Sequence, residues 1–397
     1  MTRVMVCREI EVPDPLRAAR FARAPELGPR LLFFSGGTAL RGLSRALVDY
    51  THNSIHVITP FDSGGSSATL RRAFQMPAIG DVRNRLMALA DQSLRGNPEV
   101  VALFAHRFPA KAARASLVEQ LEHMIKGRHP LVARIPDPMR KIIRNHLAVF
   151  REHMPGDFDI RGASIGNLVL TAGYLNNRRM FDPVVYIFSR LIQARGEVRP
   201  VVNKNLHLGA RLADGRVVVG QHLLTGKECP PPDAAIEELF LTASLDSAEP
   251  VEVAIRDKMR RLIGSADLIC YPPGSFFTSL MANLLPRGVG RAVARARCPK
   301  VYVPSAGRDP EVVGLSLGGR VDLLLRALSR DDPRSIKTAD VLQYVLLDSR
   351  GGEQVGGADR TKLARRGVTV VDCSLVSEDS GPYIDGRKLA EALLSLS

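Results

Sequence analysis

The segment from residue 31 to residue 59 constrains the fold more than any other feature of the sequence. It contains a short apolar stretch, a pair of glycines and leucines at helical spacing. Residues 31–34 are Leu-Leu-Phe-Phe, and Gly36 and Gly37 follow almost directly. Leucines then recur at helical spacing from residue 40 to residue 47, and a second apolar segment spans residues 55–59. This order predicts a buried strand, a tight turn, a helix and a second, parallel strand. We therefore expect an α/β fold built on a parallel sheet.

The rest of the chain extends this pattern. Residues 81–153 carry helical periodicity throughout, which predicts a helical cap inserted at about residues 81–155. Asp214 and Gly215 separate two alternating apolar segments and predict a β-hairpin. Further strands are predicted at residues 266–270, 301–303, 344–347 and 368–371. Residues 1–28 mix charges and prolines without a clear period, so we expect an N-terminal extension that packs late or not at all, ahead of a domain at residues 29–397.

Charge and cysteine content limit the class of protein. Lys and Arg total 55 against 41 Asp and Glu, which gives a formal charge of +14 and favours phosphate-bearing ligands. The arginines are scattered, Trp is absent and aromatic residues make up 5%, so the composition argues against nucleic acid as the partner. The five cysteines are widely separated, which argues against a disulfide framework or a zinc knuckle.

Hydropathy gives no sign of a membrane segment. No stretch approaches the roughly 18 uninterrupted apolar residues of a spanning helix. Residues 1–9 lack the apolar core of a leader peptide. We therefore expect a cytoplasmic protein without a membrane partner.

Loops rich in small residues follow the first two predicted strands. Ser35-Gly36-Gly37-Thr38 lies where a strand leads into a helix, and backbone N–H groups at such a position can approach a phosphate. Residues 60–67 carry Asp62 ahead of two glycines and two serines. A carboxylate at this edge of an α/β sheet can hold Mg²⁺ or a ribose. Each loop alone is equally compatible with a tight turn or a mobile surface loop.

A further segment carries a second carboxylate, and two more loops repeat the small-residue composition. Asp81 lies in Gly80-Asp81-Val82-Arg83-Asn84, where it could simply cap the following helix. Residues 162–167 begin an apolar helix, and residues 272–279 follow the strand predicted at 266–270. Turns alone do not account for so many small-residue loops at strand ends and helix starts. The sequence has no H-E-x-x-H or C-x-x-C motif and its histidines are dispersed, which disfavours a histidine-based hydrolase.

These segments, in this order, resemble the CofD-like superfamily. That superfamily includes the 2-phospho-L-lactate transferases of deazaflavin coenzyme synthesis and the gluconeogenesis-factor proteins that bind nucleotide sugars. The resemblance runs from about residue 31 to residue 302, with a weaker similarity to the end. It implies a Rossmann-like, three-layer α/β domain, usually dimeric, that holds a nucleotide diphosphate in glycine-rich loops with the help of a divalent metal.

The resemblance also implies roles for individual residues. Asp62 and Asp81 would be the catalytic and Mg²⁺-binding carboxylates. The implied substrate-binding residues are Gly36, Gly37, Thr38, Gly64, Gly65, Ser66, Arg83, Asn84, Ser164, Asn167, Gly274, Ser275, Thr278 and Ser279. Two positions depart from the family pattern: Ser63 stands where a second acid is common, and Ala163 where a His or similar polar residue is common.

Three functions are compatible with these features. The first is a Mg²⁺-assisted transferase that moves a phospho-hydroxyacid group, such as 2-phospho-L-lactate, from a nucleotide diphosphate donor to an acceptor hydroxyl. The second is a regulatory protein that binds a nucleotide sugar without turning it over, which the missing second acid favours. The third is a basic protein that docks on RNA or DNA, with the loops merely structural.

Overall fold

The computed structural model describes residues 9–93, 96–307, 309–351 and 356–397. The strands in these residues are β1 (Leu31–Ser35), β2 (Ile55–Ile58), β3 (Glu197–Pro200), β4 (His207–Leu212), β5 (Val217–Val219), β6 (Ile236–Thr242), β7 (Leu268–Tyr271), β8 (Lys300–Tyr302), β9 (Tyr344–Leu347) and β10 (Thr369–Asp372). The α-helices in the same residues are α1 (Pro15–Arg23), α2 (Arg41–Leu47), α3 (Gly65–Phe74), α4 (Gly80–Ala88), α5 (Pro98–Ala105), α6 (Arg114–Ile125), α7 (Pro130–Ala133), α8 (Met139–His153), α9 (Ile165–Asn176), α10 (Phe181–Leu191), α11 (Gln221–Leu224), α12 (Asp257–Gly264), α13 (Ala282–Leu284), α14 (Val289–Arg295), α15 (Leu317–Ser329), α16 (Thr338–Val341), α17 (Gly357–Arg365) and α18 (Gly386–Leu396).

Seven of the strands in the described residues form one parallel sheet, the main sheet, in the order β10-β9-β8-β7-β1-β2-β3. The central strand β1 pairs on both sides, so that Leu32 lies opposite Ile55 of β2 and Ile269 of β7. From β1 the chain first builds β2 and β3 on one side and later β7 to β10 on the other. The carboxyl ends of β1 and β7 therefore flank a topological switch point, the place where ligands bind in open α/β sheets.

The main sheet lies between two packed layers. Alternate residues of a strand point to opposite faces: Leu31 and Phe33 pack with α2 and α18, whereas Leu32 and Phe34 belong to the core that includes β4 and β6. Strands β5, β4 and β6 form an antiparallel small sheet. The predicted three-layer α/β fold and its hairpin are confirmed, and β6, which the sequence did not suggest, completes the small sheet.

Helices α3 to α10 are all inserted between β2 and β3, although these strands are neighbours in the main sheet. Their apolar residues form one core that extends from Ile58 to Val198. The cap predicted at about residues 81–155 falls within this region. Helix α4, which begins at Gly80, also packs against β2, β3 and α2, so its first turn lies beside the switch point. None of the helices in the described ranges is both long and apolar enough to cross a bilayer.

The described part of residues 1–28 is packed rather than detached; residues 1–8 lie outside the described residues. Asp14 caps α1 by accepting a hydrogen bond from the Arg17 N–H at 3.0 Å. The Asp14 N–H in turn donates to Ser395 Oγ of α18 at 2.7 Å. For this part the absence of packing is excluded, while late packing stays a prediction. The sequence carries an Asp-Pro helix start that the mixed charges around it obscured.

Candidate functional site

The loops that follow β1 and β7 meet at the switch point. A side chain does not fit at Gly36, because a β carbon there would lie 2.8 Å from Thr59 Oγ1 and 3.2 Å from Ser279 Oγ. Gly37 has φ +52°, the left-handed conformation that favours glycine. Its N–H favours the charged form of the Asp81 carboxylate and so lowers the pKa of that group. The glycine pair therefore allows three separate segments of the chain to approach one another closely.

Two adjoining cavities open at these loops. The aspartate cavity has a volume of about 250 Å³, and its lining includes Asp62 and Asp81. The tyrosine cavity has a volume of about 530 Å³, and its lining includes Gly274 and Tyr383. The neck consists of the residues common to both linings, which are Gly37, Thr38, Lys227, Ser275 and Ser279.

The structure brings nearly all of the predicted site residues to these cavities. The predicted residues that line one cavity or both are Gly36, Gly37, Thr38, Asp62, Gly64, Gly65, Ser66, Asp81, Arg83, Asn84, Asn167, Gly274, Ser275, Thr278 and Ser279. Thr38, Asp81 and Ser275 come from distant parts of the chain and share the aspartate cavity. The small-residue loops therefore converge, while the chemical roles assigned to their residues stay predictions.

Ser164 is the exception, and its predicted place in the ligand site is corrected. It is fully buried, lines neither cavity, and caps α9 by accepting a hydrogen bond from the Asn167 N–H at 3.3 Å. Residues 162–166 also match the G-x-S-x-G pattern of hydrolase nucleophiles. That pattern requires an exposed serine between a strand and a helix, so the buried Ser164 does not fit it.

Asn167 brings an unsatisfied polar atom to the aspartate cavity. Its Oδ1 is buried and has no hydrogen-bond partner among the described residues. Its Nδ2 lies 3.5 Å from Ser66 Oγ, at the limit of a hydrogen bond. A buried acceptor without a donor costs roughly 1–3 kcal/mol, so a ligand hydroxyl or amide that donates to Asn167 Oδ1 would remove this penalty.

The two aspartates of the aspartate cavity influence each other. Asp62 Oδ1 accepts a hydrogen bond from the Gly64 N–H at 3.1 Å. Burial, and then the charge of Asp62, raise the pKa of Asp81 to about 6, although the Gly37 N–H, Arg85 and Lys227 act in the opposite direction. A cation placed between the two carboxylates would relieve this repulsion.

Positive charge also collects at the aspartate cavity. Arg83, Arg107 and Lys227 line it, and none of the three forms a salt bridge within the described part of the chain. Burial, and then the nearby charges of Arg107 and Arg41, lower the pKa of Arg83 to about 10. Cations that repel one another in this way favour a bound anion.

The donor set fits Mg²⁺ only with help from a ligand. The described residues contain no group of three or more His, Cys, Asp or Glu side chains that could hold a metal ion. Asp62 and Asp81 supply two carboxylates, and Ser63 Oγ lies 2.8 Å from His222 Nδ1 instead of supplying a third. Because Mg²⁺ keeps several waters and is often held by one or two carboxylates plus phosphates, this pair fits a Mg²⁺ that arrives with a phosphorylated ligand.

Sequence reasoning missed two parts of the site. One is the segment between β5 and β6, from which His222, Lys227 and Glu228 line the aspartate cavity. Only the neighbouring prolines at residues 230–232 set this segment apart in the sequence. It is brought to the cavity by the small sheet, whose third strand the sequence did not predict.

The other missed part is a pair of carboxylates beneath the loop that follows β7. The chain at Phe276–Met281 forms a π-helical turn, a rare geometry that is frequent at functional sites. Buried Glu311 accepts hydrogen bonds from the N–H groups of Phe277 and Thr278, both at 2.9 Å, and from the Thr278 hydroxyl. Asp309 accepts one from the Phe276 N–H at 2.8 Å. The Thr278 hydroxyl, predicted to contact the nucleotide, is therefore engaged within the protein.

Together, the fold and these cavities define an α/β protein with a crevice at the switch point of a parallel sheet. The chain belongs to the CofD family: the family model described as 2-phospho-L-lactate transferase CofD matches residues 31–376. The expected resemblance is thereby confirmed.

Named relatives and a solved structure agree with this assignment. The chain is 31% identical to a gluconeogenesis factor of Bacillus subtilis over 71% of this chain and 69% of that protein. It is 26% identical to a gluconeogenesis factor of Listeria monocytogenes over 70% of this chain and 67% of that protein. A crystal structure of a UPF0052 family protein from Bacillus halodurans superposes with a TM-score of 0.66 at 24% identity and covers 92% of this chain and 99% of that one. At this identity the superposition supports the fold alone.

Proposed function

We propose that the crevice binds a conjugate of a nucleoside diphosphate, such as a nucleotide sugar, and that this binding is the function of the site. The nucleoside would occupy the tyrosine cavity, the diphosphate the neck, and the conjugated group the aspartate cavity. The observation that carries the proposal is that two cavities, of about 530 and 250 Å³, share a lining of glycine, hydroxyl and lysine groups at the neck. Small-ligand sites have volumes of about 300–1,000 Å³, so the pair matches a nucleotide-sized ligand.

The chemistry of the neck supports a diphosphate at that position. Thr38, Ser275 and Ser279 offer hydroxyl donors, and Lys227 offers a point charge. Such donors suit phosphate oxygens, while the deeper arginines of the aspartate cavity extend the positive field beyond the neck. Bound Mg²⁺ would neutralise phosphate charge, and Asp62 and Asp81 are the residues that would hold it.

Calorimetric titration tests the proposal. We expect nucleotide sugars and nucleoside diphosphates to bind more tightly than the matching nucleosides, and Lys227→Gln to weaken diphosphate binding by roughly tenfold or more. Arg365→Gln is the matched control, because it removes one exposed positive charge from α17, away from both cavities. Equal binding of nucleoside and nucleotide, or equal losses in the two variants, would contradict the proposal.

A second candidate function is transfer of the conjugated phosphate group, and the two aspartates favour it. In this reaction an acceptor hydroxyl oxygen forms a bond to the phosphorus that carries the conjugated group. The bond from that phosphorus to the bridging oxygen breaks, nucleoside monophosphate leaves, and the acceptor proton passes to the Asp81 carboxylate. For this step Mg²⁺ would be held by Asp62 and the diphosphate, which leaves Asp81, whose pKa burial and the charge of Asp62 raise to about 6, as the proton acceptor.

Two observations set binding above transfer. Ser63 replaces a carboxylate beside Asp62 and is paired with His222, which leaves fewer ligands for a tightly held metal. The relatives described above are named as factors, not as transferases. An activity assay would reverse this order if the protein released nucleoside monophosphate from a nucleotide conjugate. The release would have to depend on Mg²⁺ and an acceptor, and Asp81→Asn would have to abolish it while ligand binding persists.

Dimer formation stays a prediction, which light scattering would test.

A further inference from the structure

A further cavity, of about 720 Å³, lies at the amino ends of β1, β2 and β3. We call it the arginine cavity. Arg30 directly precedes β1, Ile55 begins β2, and residues 193–199 lead into β3 and form its first part. At about 3.3 Å per residue, the five-residue strand β1 separates this edge of the sheet from the neck by roughly 16 Å. The arginine cavity is therefore separate from the crevice at the switch point.

Arginine side chains predominate among the charged groups that line the arginine cavity. Four arginines line it, namely Arg30, Arg190, Arg195 and Arg199. Arg195 is paired with one carboxylate, Asp91, at 2.7 Å, and Arg199 with two, Asp182 and Glu197, both at 2.9 Å. Arg30 and Arg190 are exposed and form no salt bridge within the described residues. Two such guanidinium groups match the charge of a phosphate monoester, which is about −1.5 to −2 at neutral pH.

The lining of the arginine cavity also contains an aromatic ring close to one of its arginines. Tyr186 lines the cavity and is 56% exposed, a large fraction for an aromatic side chain in a monomeric protein. The guanidinium carbon of Arg190 lies 5.2 Å from the centre of its ring, which holds the two side chains together. His52 lies on the same lining, and burial, followed by the charge of Arg195, lowers the pKa of its ring.

The backbone at the cavity wall is strained. Gln193 has φ +50°, a left-handed conformation that costs a residue with a side chain roughly 1–2 kcal/mol. Its carbonyl is held by the Asp91 N–H at 3.3 Å. Strained residues of this kind persist where the surrounding structure fixes them, and they cluster at ligand sites.

We propose that the arginine cavity is a second ligand site, which binds a nucleoside monophosphate with its base against Tyr186 and its phosphate drawn by Arg30 and Arg190. A flat ring joined to a single phosphate matches both features of the lining. Inorganic phosphate would satisfy the arginines alone, and a nucleoside would satisfy the ring alone. The proposal does not depend on what the crevice at the switch point binds.

Titration of the full chain with nucleoside 5′-monophosphates tests this site. Gly36→Ala serves as the background, because it blocks the crevice and leaves the arginine cavity untouched. In that background we expect Arg30→Gln/Arg190→Gln to weaken binding by roughly tenfold or more, and Tyr186→Ala by about threefold to tenfold. The control Arg134→Gln/Arg365→Gln removes the same charge from exposed positions outside the cavity and should change affinity by about twofold or less.

Four results would overturn the proposal. The first is the absence of monophosphate binding in the Gly36→Ala background when that variant is folded by circular dichroism. The second is an equal loss in the Arg30/Arg190 and control variants, which would reveal only a general charge effect. The third is displacement of the nucleotide by inorganic phosphate at equal concentration together with no effect of Tyr186→Ala, which would leave a plain anion site. The fourth is tighter binding of single-stranded oligonucleotides than of nucleoside monophosphates. That result would mean that the ligand of this site is a nucleic acid.

Discussion

The two edges of the main sheet present positive potential through different parts of the chain. At the carboxyl edge, the neck combines hydroxyls and Lys227 with backbone that is held close by glycines. At the amino edge, the arginine cavity relies on guanidinium groups at the ends of long side chains. A site formed by backbone depends on where the main chain runs, whereas a site formed by arginines depends on a few exposed side chains. One substitution should therefore remove most of the ligand affinity of the first kind of site, whereas each substitution should lower the affinity of the second kind only in part.

The largest expected effect is that of Gly36→Ala at the carboxyl edge. The added β carbon would lie 2.8 Å from Thr59 Oγ1 and 3.2 Å from Ser279 Oγ, so the loop after β1 must move away from the residues that follow β2 and β7. We expect nucleotide affinity at the crevice to fall by roughly a hundredfold or more. Gly264→Ala is the control, because nothing lies within 4 Å of the added carbon at that helical position. Equal nucleotide affinities of Gly36→Ala and Gly264→Ala would contradict the idea that the carboxyl-edge site depends on the course of the backbone.

Removal of the Glu311 carboxylate should have the next largest effect. Glu311→Ala leaves two N–H groups and one hydroxyl of the π-helical turn without their acceptor. Since each buried unsatisfied group costs roughly 1–3 kcal/mol, we expect the free energy of unfolding to fall by about 3 kcal/mol and crevice affinity by about tenfold. Urea denaturation and calorimetry measure both. Glu311→Gln keeps one acceptor, so its free energy of unfolding and its crevice affinity should lie between those of wild type and Glu311→Ala. A Glu311→Ala variant that is destabilised but keeps its affinity would show that the turn does not shape the neck.

The charge of Asp81 should make the carboxyl edge sensitive to pH. Its pKa is about 6 in the folded protein against an ordinary value of 3.8, so between these values the folded chain holds a proton that the unfolded chain releases. The free energy of unfolding should therefore fall as pH rises from about 4 to 6, and this slope should weaken in Asp81→Asn. Without Mg²⁺, phosphate ligands should bind the wild type several-fold more tightly at pH 5 than at pH 8. Wild type and Asp81→Asn with the same pH profile would contradict this.

The smallest expected effect concerns the missing second acid. Ser63→Asp adds a carboxylate next to Asp62, where the serine hydroxyl now lies 2.8 Å from His222 Nδ1. We expect Mg²⁺ affinity, measured with bound nucleoside diphosphate, to rise by about twofold to fivefold, because hard cations prefer oxygen ligands with charge. Ser63→Asn is the neutral control. Binding at the arginine cavity should stay the same in both variants, and any change there would mean that the two edges are coupled.

Local sequence patterns predicted the parts of the fold that depend on neighbouring residues. Residues 31–34 and 55–59 gave β1 and β2 because strands buried on both faces are continuously apolar. Edge strand β3 was missed, because its Glu-Val-Arg-Pro sequence resembles a polar loop and its pairing with β2 depends on residues far away in the chain. At the site, the glycine and serine loops could be predicted from composition, since their local conformation demands small residues. Glu311 and Lys227 could not, because tertiary packing alone brings them to the crevice.

The contact between α1 and α18 has a consequence for how the chain reaches its final state during synthesis. Chains generally fold from the amino end as they emerge. Here the first described helix packs against the last, through Asp14 and Ser395. The contact between α1 and α18 cannot form until α18 has been synthesised, so a late step of assembly joins two helices that lie far apart along the chain.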